Sequence, residues 1–270
     1  MSVASLGEFG LLAELEARRL VQGIEDDVAQ LAGLVVTQDV LVEGVHFRLD
    51  LLTWRDLGFR GAAVNLSDLA AAGAEPLALL VSLGLPGDTA VADVLELYEG
   101  LNEPGVTVRG GDTTRADRTY LSVTALGRSA RVPGRGGAKP GDLVVVSGPL
   151  GGVGAAFRYG RLIRPPLRLA EGRRLATIAT AMLDVSDGLA PDAGHIAERS
   201  GCRLAIELER VPLAPGATVD DLSFGEDYEL LATTPDPLDF TVIGRVGEGE
   251  GVELTLAGVP VSLSGWDHFR

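Results

Sequence analysis

Along this chain of 270 residues, segments with helical spacing of apolar side chains alternate with short segments rich in β-branched residues. The helical spacing predicts helices over 8–20, 53–73, 89–100 and 167–182, and a further helix that ends at Gly201. The β-branched segments predict strands over 34–47, 77–85, 107–108, 120–126, 143–146, 183–185, 204–208, 229–233 and 241–246, and a hairpin over 252–263. Because helices and strands alternate in both halves, the pattern predicts an α/β protein.

One change in composition divides the chain. Residues 131–140 are rich in Gly, Pro and Arg, which is typical of a segment between two domains. We therefore expect two domains, over 1–133 and 134–270. A hydrophobic content of 46% supports a packed core, and an aromatic content of 5% predicts that this core consists of Leu, Val and Ala.

The charge balance bears on partners and location. The formal net charge of −15 argues against a nucleic-acid partner, because a phosphate backbone requires clusters of Lys and Arg. The one cysteine, Cys202, excludes an intramolecular disulfide and fits a reducing compartment. The N-terminal residues lack a signal-peptide pattern, and the apolar runs are too short to span a membrane. We expect a cytoplasmic protein that binds neither nucleic acid nor membrane.

Acidic residues recur in four separated segments that are rich in Gly or Ser. The segments are Asp26 with Asp27, Asp39 with Asp68, residues 110–115 and residues 184–188. Unpaired carboxylates repel one another and are costly to bury. If these segments converge in the fold, a hard cation such as Mg²⁺ is the natural counter-charge, and Mg²⁺ in turn holds phosphates. The pattern therefore predicts phosphoryl transfer.

Each segment also has a simpler interpretation. Ser186 or Asp187 could cap the helix that follows, and the glycines before Asp112 could merely permit a turn. Asp68 is different, because it occurs inside a predicted helix among small and apolar residues. An unpaired carboxylate there would be unfavourable, so we favour a metal ligand.

Other chemistries lack their signatures. The chain has no GxxxxGK[ST] phosphate loop and no protein-kinase motifs, and its Cys and His residues are too scarce for a zinc site. His46 could be structural, as a lone histidine at a strand end usually is. Trp266 could fill a core or could stack as a lid on a ligand ring.

Taken in order, the motifs resemble those of the thiamine-monophosphate kinase family. The matching segments are 23–27, 39–47, 63–70, 110–115, 137–142, 184–189, 225–230 and 266–269, which cover nearly the whole chain. The resemblance implies Mg²⁺-assisted transfer of phosphate from ATP to thiamine monophosphate, directly and in line, with no covalent intermediate. It also implies a homodimer and the two-domain α/β (α+β) fold of aminoimidazole ribonucleotide synthetase. In that fold an N-terminal mixed sheet carries helices on one face, and a C-terminal α/β domain follows.

The resemblance further implies a role for individual residues. Metal ligands would be Asp27, Thr37, Gln38, Asp39, Asp68, Asp112, Asp184 and Asp187. ATP contacts would be Tyr98, Gly111, Asp112, Arg135 and Ser186, and thiamine-phosphate contacts would be His46, Glu226 and Trp266. Four positions depart from the family pattern: Glu25 and Phe224 stand where Gly is usual, Gln38 where Thr is common, and Gly152 where Asp is common.

Two other hypotheses are compatible with the motifs. An enzyme of the same fold could act on another substrate and make aminoimidazole ribonucleotide, selenophosphate or a carbamoyl-derived nitrile. The last two types need a cysteine or selenocysteine near one terminus that this chain lacks, and segments 43–47, 65–70 and 225–230 favour the thiamine branch. The second hypothesis is a non-catalytic regulator that binds a nucleotide. The retention of nearly every acidic motif argues against it.

Overall fold

The structure is a computed structural model that describes residues 3–24 and 26–266. These residues form a five-stranded and a seven-stranded β-sheet with six α-helices. The helices are α1 Val3–Ala17, α2 Trp54–Ala71, α3 Val91–Asn102, α4 Gly152–Phe157, α5 Leu169–Ala176 and α6 Leu189–Ser200. The strands are β1 Ala29–Leu31, β2 Leu34–Val42, β3 Glu75–Leu85, β4 Val108–Arg115, β5 Tyr120–Arg128, β6 Leu143–Val146, β7 Ala181–Asp184, β8 Arg203–Glu207, β9 Leu230–Thr234, β10 Thr241–Gly247, β11 Gly251–Leu256 and β12 Val259–Val261.

The first sheet is mixed and has helices on one face, as the family resemblance implies. Its strand order is β1-β2-β5-β3-β4, in which β3 and β4 are parallel and the other neighbours are antiparallel. Alternate residues such as Val35 and Leu41 on β2 are buried beneath α2 and α3. The opposite face remains open, and Val40 on β2 is 46% exposed there.

Helix α2 is the longest described helix and lies at the centre of the molecule. Thr53 and Asp56 form a capping box at its start, since the Thr53 side chain accepts a hydrogen bond from Asp56 N and the Asp56 carboxylate accepts one from Thr53 N. Gly58 on α2 and Gly100 on α3 let the two helices approach so closely that a Cβ at either position would overlap the other backbone. This packing fixes the direction in which α2 presents its polar residues.

The second sheet has the strand order β12-β11-β8-β10-β6-β9-β7. Helix α6 and the buried residues around Leu183, Leu189, Ile196 and Leu204 form its main core. A separate cluster joins the two halves of the chain, where Ala70 and Ala71 of α2 pack with α5 and with β7. The end of α2 therefore lies against β7, at the centre of the contact between the halves.

Two predicted elements are wrong. The Gly-Gly-Asp segment, predicted as a turn, lies inside β4, because Gly111 has no Cβ to overlap the carbonyl oxygen of Val81 on the neighbouring strand. The helix predicted over 167–182 spans only Leu169–Ala176, because residues 181–184 pair as β7 with β9. None of the described helices combines the length and apolar character that a membrane span requires.

Candidate functional site

Three aspartates from distant parts of the chain meet where the two halves touch. Asp27 precedes β1, Asp68 lies near the end of α2, and Asp184 ends β7. One carboxylate oxygen from each lies within 4.8 Å of those from the other two. Three carboxylates at such distances repel one another in water and repel more strongly when buried.

Strand β2 adds two residues from one face, as the two-residue period of a strand predicts. Thr37 Oγ1 donates a hydrogen bond to Asp68 Oδ2 at 2.5 Å. The backbone N–H of Asp39 donates to Asn65 Oδ1 at 3.1 Å, and the carboxyl groups of Asp39 and Asp68 are close enough to influence each other's pKa. We call Asp27, Asp39, Asp68 and Asp184 the carboxylate cluster.

Burial changes the protonation of this cluster. Desolvation raises the pKa of Asp39 to about 6 and the pKa of Asp184 to about 7, and it raises the pKa of Asp68 well above its usual range. The negative charges of neighbouring aspartates raise the pKa of each of the three further. Each group offers oxygen, the donor that Mg²⁺ prefers, so the cluster fits a divalent cation as its counter-charge.

Two further side chains orient the cluster. Arg135, in the segment between the halves, donates from Nε and Nη2 to Asp27 Oδ1 at 2.9 and 2.5 Å. Ser67 Oγ donates to Asp184 Oδ2 at 2.5 Å across 117 positions of sequence. Sequence analysis singled out Arg135 but not Ser67, although Ser67 stands next to Asp68 in a helix whose buried residues are mostly apolar.

A second group of ionisable residues lies at the start of α6. Oxygen or nitrogen atoms of Asp187, Asp192 and His195 lie within 4.8 Å of one another. Asp192 Oδ2 accepts hydrogen bonds from the backbone N–H groups of Asp187 and Gly188, both at 3.1 Å. Burial lowers the pKa of His195 to about 4, so its imidazole is neutral at pH 7. Sequence analysis named only Asp187, although the i, i+3 spacing of Asp192 and His195 was visible.

The loop 225–228 packs directly onto the Ser186 turn. Glu226 N donates to the backbone oxygen of Ser186 at 2.7 Å, and Trp266 N donates to that of Asp187 at 3.0 Å. The loop is strained, because Glu226 and Tyr228 have φ values of 59° and 52°, a region that non-glycine residues seldom adopt. The structure therefore places Glu226 and Trp266 beside Ser186 and Asp187.

The neighbouring Asp227 fixes this loop from the other side. Its carboxylate accepts hydrogen bonds from Gly151 N at 2.7 Å and from Gly152 N at 3.0 Å, at the start of α4. Position 152, where the family commonly has an aspartate, is a glycine in this chain. The carboxylate of Asp227 lies at this helix terminus instead. His46 lies just beyond β2, and its Nδ1 accepts a hydrogen bond from Val42 N at 3.1 Å.

The remaining predicted residues lie away from the cluster within this chain. Gln38 Oε1 accepts from Thr124 Oγ1 at 3.0 Å on the open face of the first sheet. Asp112 on β4 pairs in register with Ser82 on β3, also toward the open face, and β4 stands three strand spacings, or about 14 Å, from β2. Gly111 lies beside Asp112, and Tyr98 packs half-buried on α3.

We expect the protein without divalent cations to be less stable at pH 8 than at pH 5.5. A carboxyl whose pKa is higher in the folded state than in the unfolded state stabilises the fold below the unfolded pKa, and this stability is lost as pH rises through the folded pKa. That window runs from a pKa of 3.8 to about 6 for Asp39 and from 3.8 to about 7 for Asp184. Mg²⁺ should therefore raise Tm more at pH 8 than at pH 5.5, as thermal unfolding in EDTA and in Mg²⁺ would measure.

Asp184→Asn is the matched variant for this experiment. It removes one charge of the cluster, so both the pH dependence of Tm and the Mg²⁺ shift should become smaller. A wild-type Tm that changes with neither pH nor Mg²⁺ would contradict the expectation.

Comparison with known proteins gives three similarities in sequence and one in structure. The family model for the N-terminal domain of AIR synthase related proteins matches residues 19–129. A thiamine-monophosphate kinase of Aquifex aeolicus is 35% identical over an alignment of 309 residues that covers 100% of both chains. One from Salmonella typhimurium is 36% identical over 324 residues, covering 97% of this chain and 98% of that protein.

A solved structure described as AaThiL complexed with AMPPCP and TMP superimposes on this fold with a TM-score of 0.91. Its sequence is 35% identical, and the match covers 99% of each chain. The predicted fold class, a mixed α/β protein related to aminoimidazole ribonucleotide synthetase, is thereby confirmed.

Proposed function

The chain belongs to the thiamine-monophosphate kinase family, and from this membership and its site we infer that it phosphorylates thiamine monophosphate with ATP. The products are ADP and thiamine diphosphate. The observation that carries this conclusion is the carboxylate cluster, which the fold assembles between the two halves by bringing Asp184 to three aspartates more than 100 residues earlier in the chain.

The acceptor oxygen of thiamine monophosphate is already anionic at neutral pH, so a strong general base is dispensable. The obstacle is repulsion between two polyanions. Mg²⁺ held by the carboxylate cluster, Thr37 and Asp187 supplies the positive charge that offsets this repulsion. The transfer is direct, and no side chain serves as a covalent nucleophile.

The chain's own residues supply positioning. Thr37 and Ser67 hold the carboxylates of Asp68 and Asp184 by hydrogen bonds, and Arg135 holds Asp27. Positioning of reactants contributes about 7–11 kcal/mol to a well-oriented transfer. The proposed contacts to ATP are Tyr98, Gly111, Arg135 and Ser186, and the proposed contacts to thiamine monophosphate are His46, Glu226 and Trp266.

The proposal divides the chain into an N-terminal domain, 1–133, and a C-terminal domain, 134–270. Its support is the separation of two buried clusters, one built around the first sheet and one around the second. A smaller cluster around Ala70, Leu175 and Met182 joins them, so the site lies at a domain contact, where ligand sites often occur.

A homodimer is part of the proposal. Val40, Leu77 and Leu80 on the open face of the first sheet are 46%, 42% and 41% exposed, which is unusual for three large apolar side chains on one sheet face. A two-fold pairing of this face would cover them. Since Gln38 and Asp112 lie on the same face, the pairing would also offer each site an Asp112 from the partner subunit.

We place the reaction in the cytoplasm. Cys202, the one cysteine of the chain, is buried and forms no disulfide. A protein that does not depend on disulfides fits a reducing compartment.

The decisive experiment measures ADP release from Mg²⁺-ATP with and without thiamine monophosphate. We expect ADP release to require thiamine monophosphate and to match thiamine diphosphate formation mole for mole. Turnover with formylglycinamidine ribonucleotide instead would assign the chain to the aminoimidazole ribonucleotide branch. ATP binding without turnover of any acceptor would favour a regulator.

A further inference from the structure

The carboxylate cluster has a cationic partner within the chain. Arg135 donates from Nε and Nη2 to the same atom, Oδ1 of Asp27, at 2.9 and 2.5 Å. The Asp27 side chain is 8% exposed, so this ion pair lies inside the site and not at the surface. Two N–H bonds to one carboxylate oxygen engage both of its lone pairs. That oxygen therefore cannot bind a metal ion while Arg135 remains on it.

The charge of Arg135 acts beyond Asp27. Burial disfavours the charged guanidinium, but the carboxylate of Asp27 and the hydrogen bond to it raise the pKa of Arg135. The charges of Asp184 and Asp192 raise this pKa further. Burial lowers the pKa of His195 to about 4, and the positive charge of Arg135 is the second cause. The guanidinium therefore lies between the carboxylate cluster and the ionisable group at the start of α6.

The backbone that carries Arg135 is fixed by contacts that do not involve its side chain. Arg135 N donates to Asp26 Oδ1 at 2.7 Å, and the backbone oxygen of Gly134 accepts from Met182 N on β7 at 2.8 Å. Gly134 has a φ of 69°, and a Cβ there would lie 2.8 Å from Asp26 Oδ1. Since the Arg135 side chain is 25% exposed, it can change its partner without movement of the backbone.

A guanidinium and a divalent cation compete for the same carboxylates. Oxygens of Asp27, Asp68 and Asp184 lie within 4.8 Å of one another, so a cation bound to one of them is close to all three. Coulomb attraction is proportional to charge, which gives a divalent cation about twice the attraction of a guanidinium at equal distance. Two cations on Asp27 would also repel each other. The cluster therefore favours exchange of Arg135 for the divalent cation over binding of both.

We propose that Arg135 is the internal counter-charge of the carboxylate cluster: it occupies Asp27 while no divalent cation is bound, and it leaves Asp27 when Mg²⁺ binds. The guanidinium then becomes available to the anionic phosphates of ATP, while Asp26 keeps its backbone at the site. The exchange links Mg²⁺ binding to ATP binding through one side chain. This inference rests on the proposed function, because it takes the carboxylate cluster as the Mg²⁺ site.

The first test measures the release of Arg135 in the wild-type protein without nucleotide. Phenylglyoxal modifies arginine side chains, and a guanidinium held by a carboxylate reacts slowly. The rate at Arg135 is followed at pH 8 by peptide mass spectrometry, in EDTA and in Mg²⁺ at equal ionic strength. We expect modification about fivefold faster or more in Mg²⁺, because two charge-assisted hydrogen bonds are lost. Arg131, which donates to the backbone oxygen of Ala179 at 2.6 Å, is the internal control and should react equally in both.

The second test measures the Kd of Mg²⁺ by calorimetry, again without nucleotide. Arg135→Gln should lower this Kd about tenfold, because no guanidinium competes for Asp27. Arg135→Lys keeps the positive charge but loses the paired N–H donors, so it should also lower the Kd, by a smaller factor. Arg131→Gln is the matched control in the same segment and should leave the Kd unchanged.

An Arg135 modification rate that Mg²⁺ does not change would overturn the inference, since Arg135 would then stay on Oδ1 of Asp27 while Mg²⁺ binds elsewhere. Weaker Mg²⁺ binding in Arg135→Gln would overturn it too, because Arg135 would then support the metal ion instead of competing with it. An unchanged Kd in Arg135→Lys would do the same and leave only charge repulsion. If the variants do not fold, the modification experiment decides, because it uses the wild type alone. A wild type that binds no Mg²⁺ would refute the proposed function instead, so the two failures are distinguishable.

Discussion

Asp68→Asn is expected to lower kcat about 10²- to 10³-fold at saturating Mg²⁺ and substrates, the usual effect of losing one electrostatic group that stabilises a transition state. Asp68 is the most connected member of the carboxylate cluster. It accepts a hydrogen bond from Thr37, lies close to both Asp27 and Asp184, and has its pKa raised by the charge of Asp39. An asparagine keeps the shape of the side chain but removes the negative charge at the centre of the site.

The same substitution should raise stability in the absence of metal. Burial and three neighbouring aspartates raise the pKa of Asp68 well above its usual range, so its ionised form opposes folding at pH 8. A neutral amide removes that repulsion, and the oxygen that accepts from Thr37 is retained. Tm in EDTA should therefore exceed that of the wild type.

Both effects are measured on one preparation, by ADP release and by thermal unfolding. Asp88→Asn, an exposed aspartate in the turn before α3, is the matched control and should change neither. A wild-type kcat in Asp68→Asn would remove Asp68 from the proposed site. A lower Tm would show that its charge supports the fold rather than the reaction.

Asp112→Asn is expected to lose activity about 10²-fold or more, and to regain it in mixed dimers. Asp112 lies on the open face of the first sheet, three strands from Asp39. If the partner subunit supplies Asp112, a dimer of Asp112→Asn with Asp68→Asn contains one site with both defects and one intact site. Random mixing should then restore about a quarter of wild-type activity.

The experiment uses two differently tagged chains that are co-expressed and purified through both tags. Purified heterodimers should show about half the activity of the wild-type dimer, because one of their two sites is complete. Heterodimers as inactive as either parent would show that each chain completes its own site. A monomeric wild type in sedimentation would contradict the dimer itself.

Several features were predictable because they depend on residues close together in sequence. The alternation of β2 places Thr37 and Asp39 on one face, and the structure has them there. The helical spacing over 53–73 and the small and apolar residues around Asp68 predicted a long buried helix, which α2 is. The alternation of helices and strands predicted an α/β protein, and the family resemblance implied the mixed sheet.

Other features depend on contacts between distant segments. The Gly-Gly-Asp segment has the local character of a turn, yet parallel pairing with β3 makes it a strand and turns Asp112 toward the open face. Nothing local marks Ser67 as the partner of Asp184, because 117 positions separate them. The ion pair of Arg60 with Glu226 likewise forms only when the two halves meet.

The sequence by itself determined most of the element types, the supply of oxygen ligands and the family, since these follow from residue type and local spacing. Only the tertiary structure decided which carboxylates share a site, which face Asp112 occupies and which aspartate pairs with Arg135. Electrostatic repulsion and hydrogen bonding act over a few ångströms in space, and that proximity is created by strand pairing and helix packing.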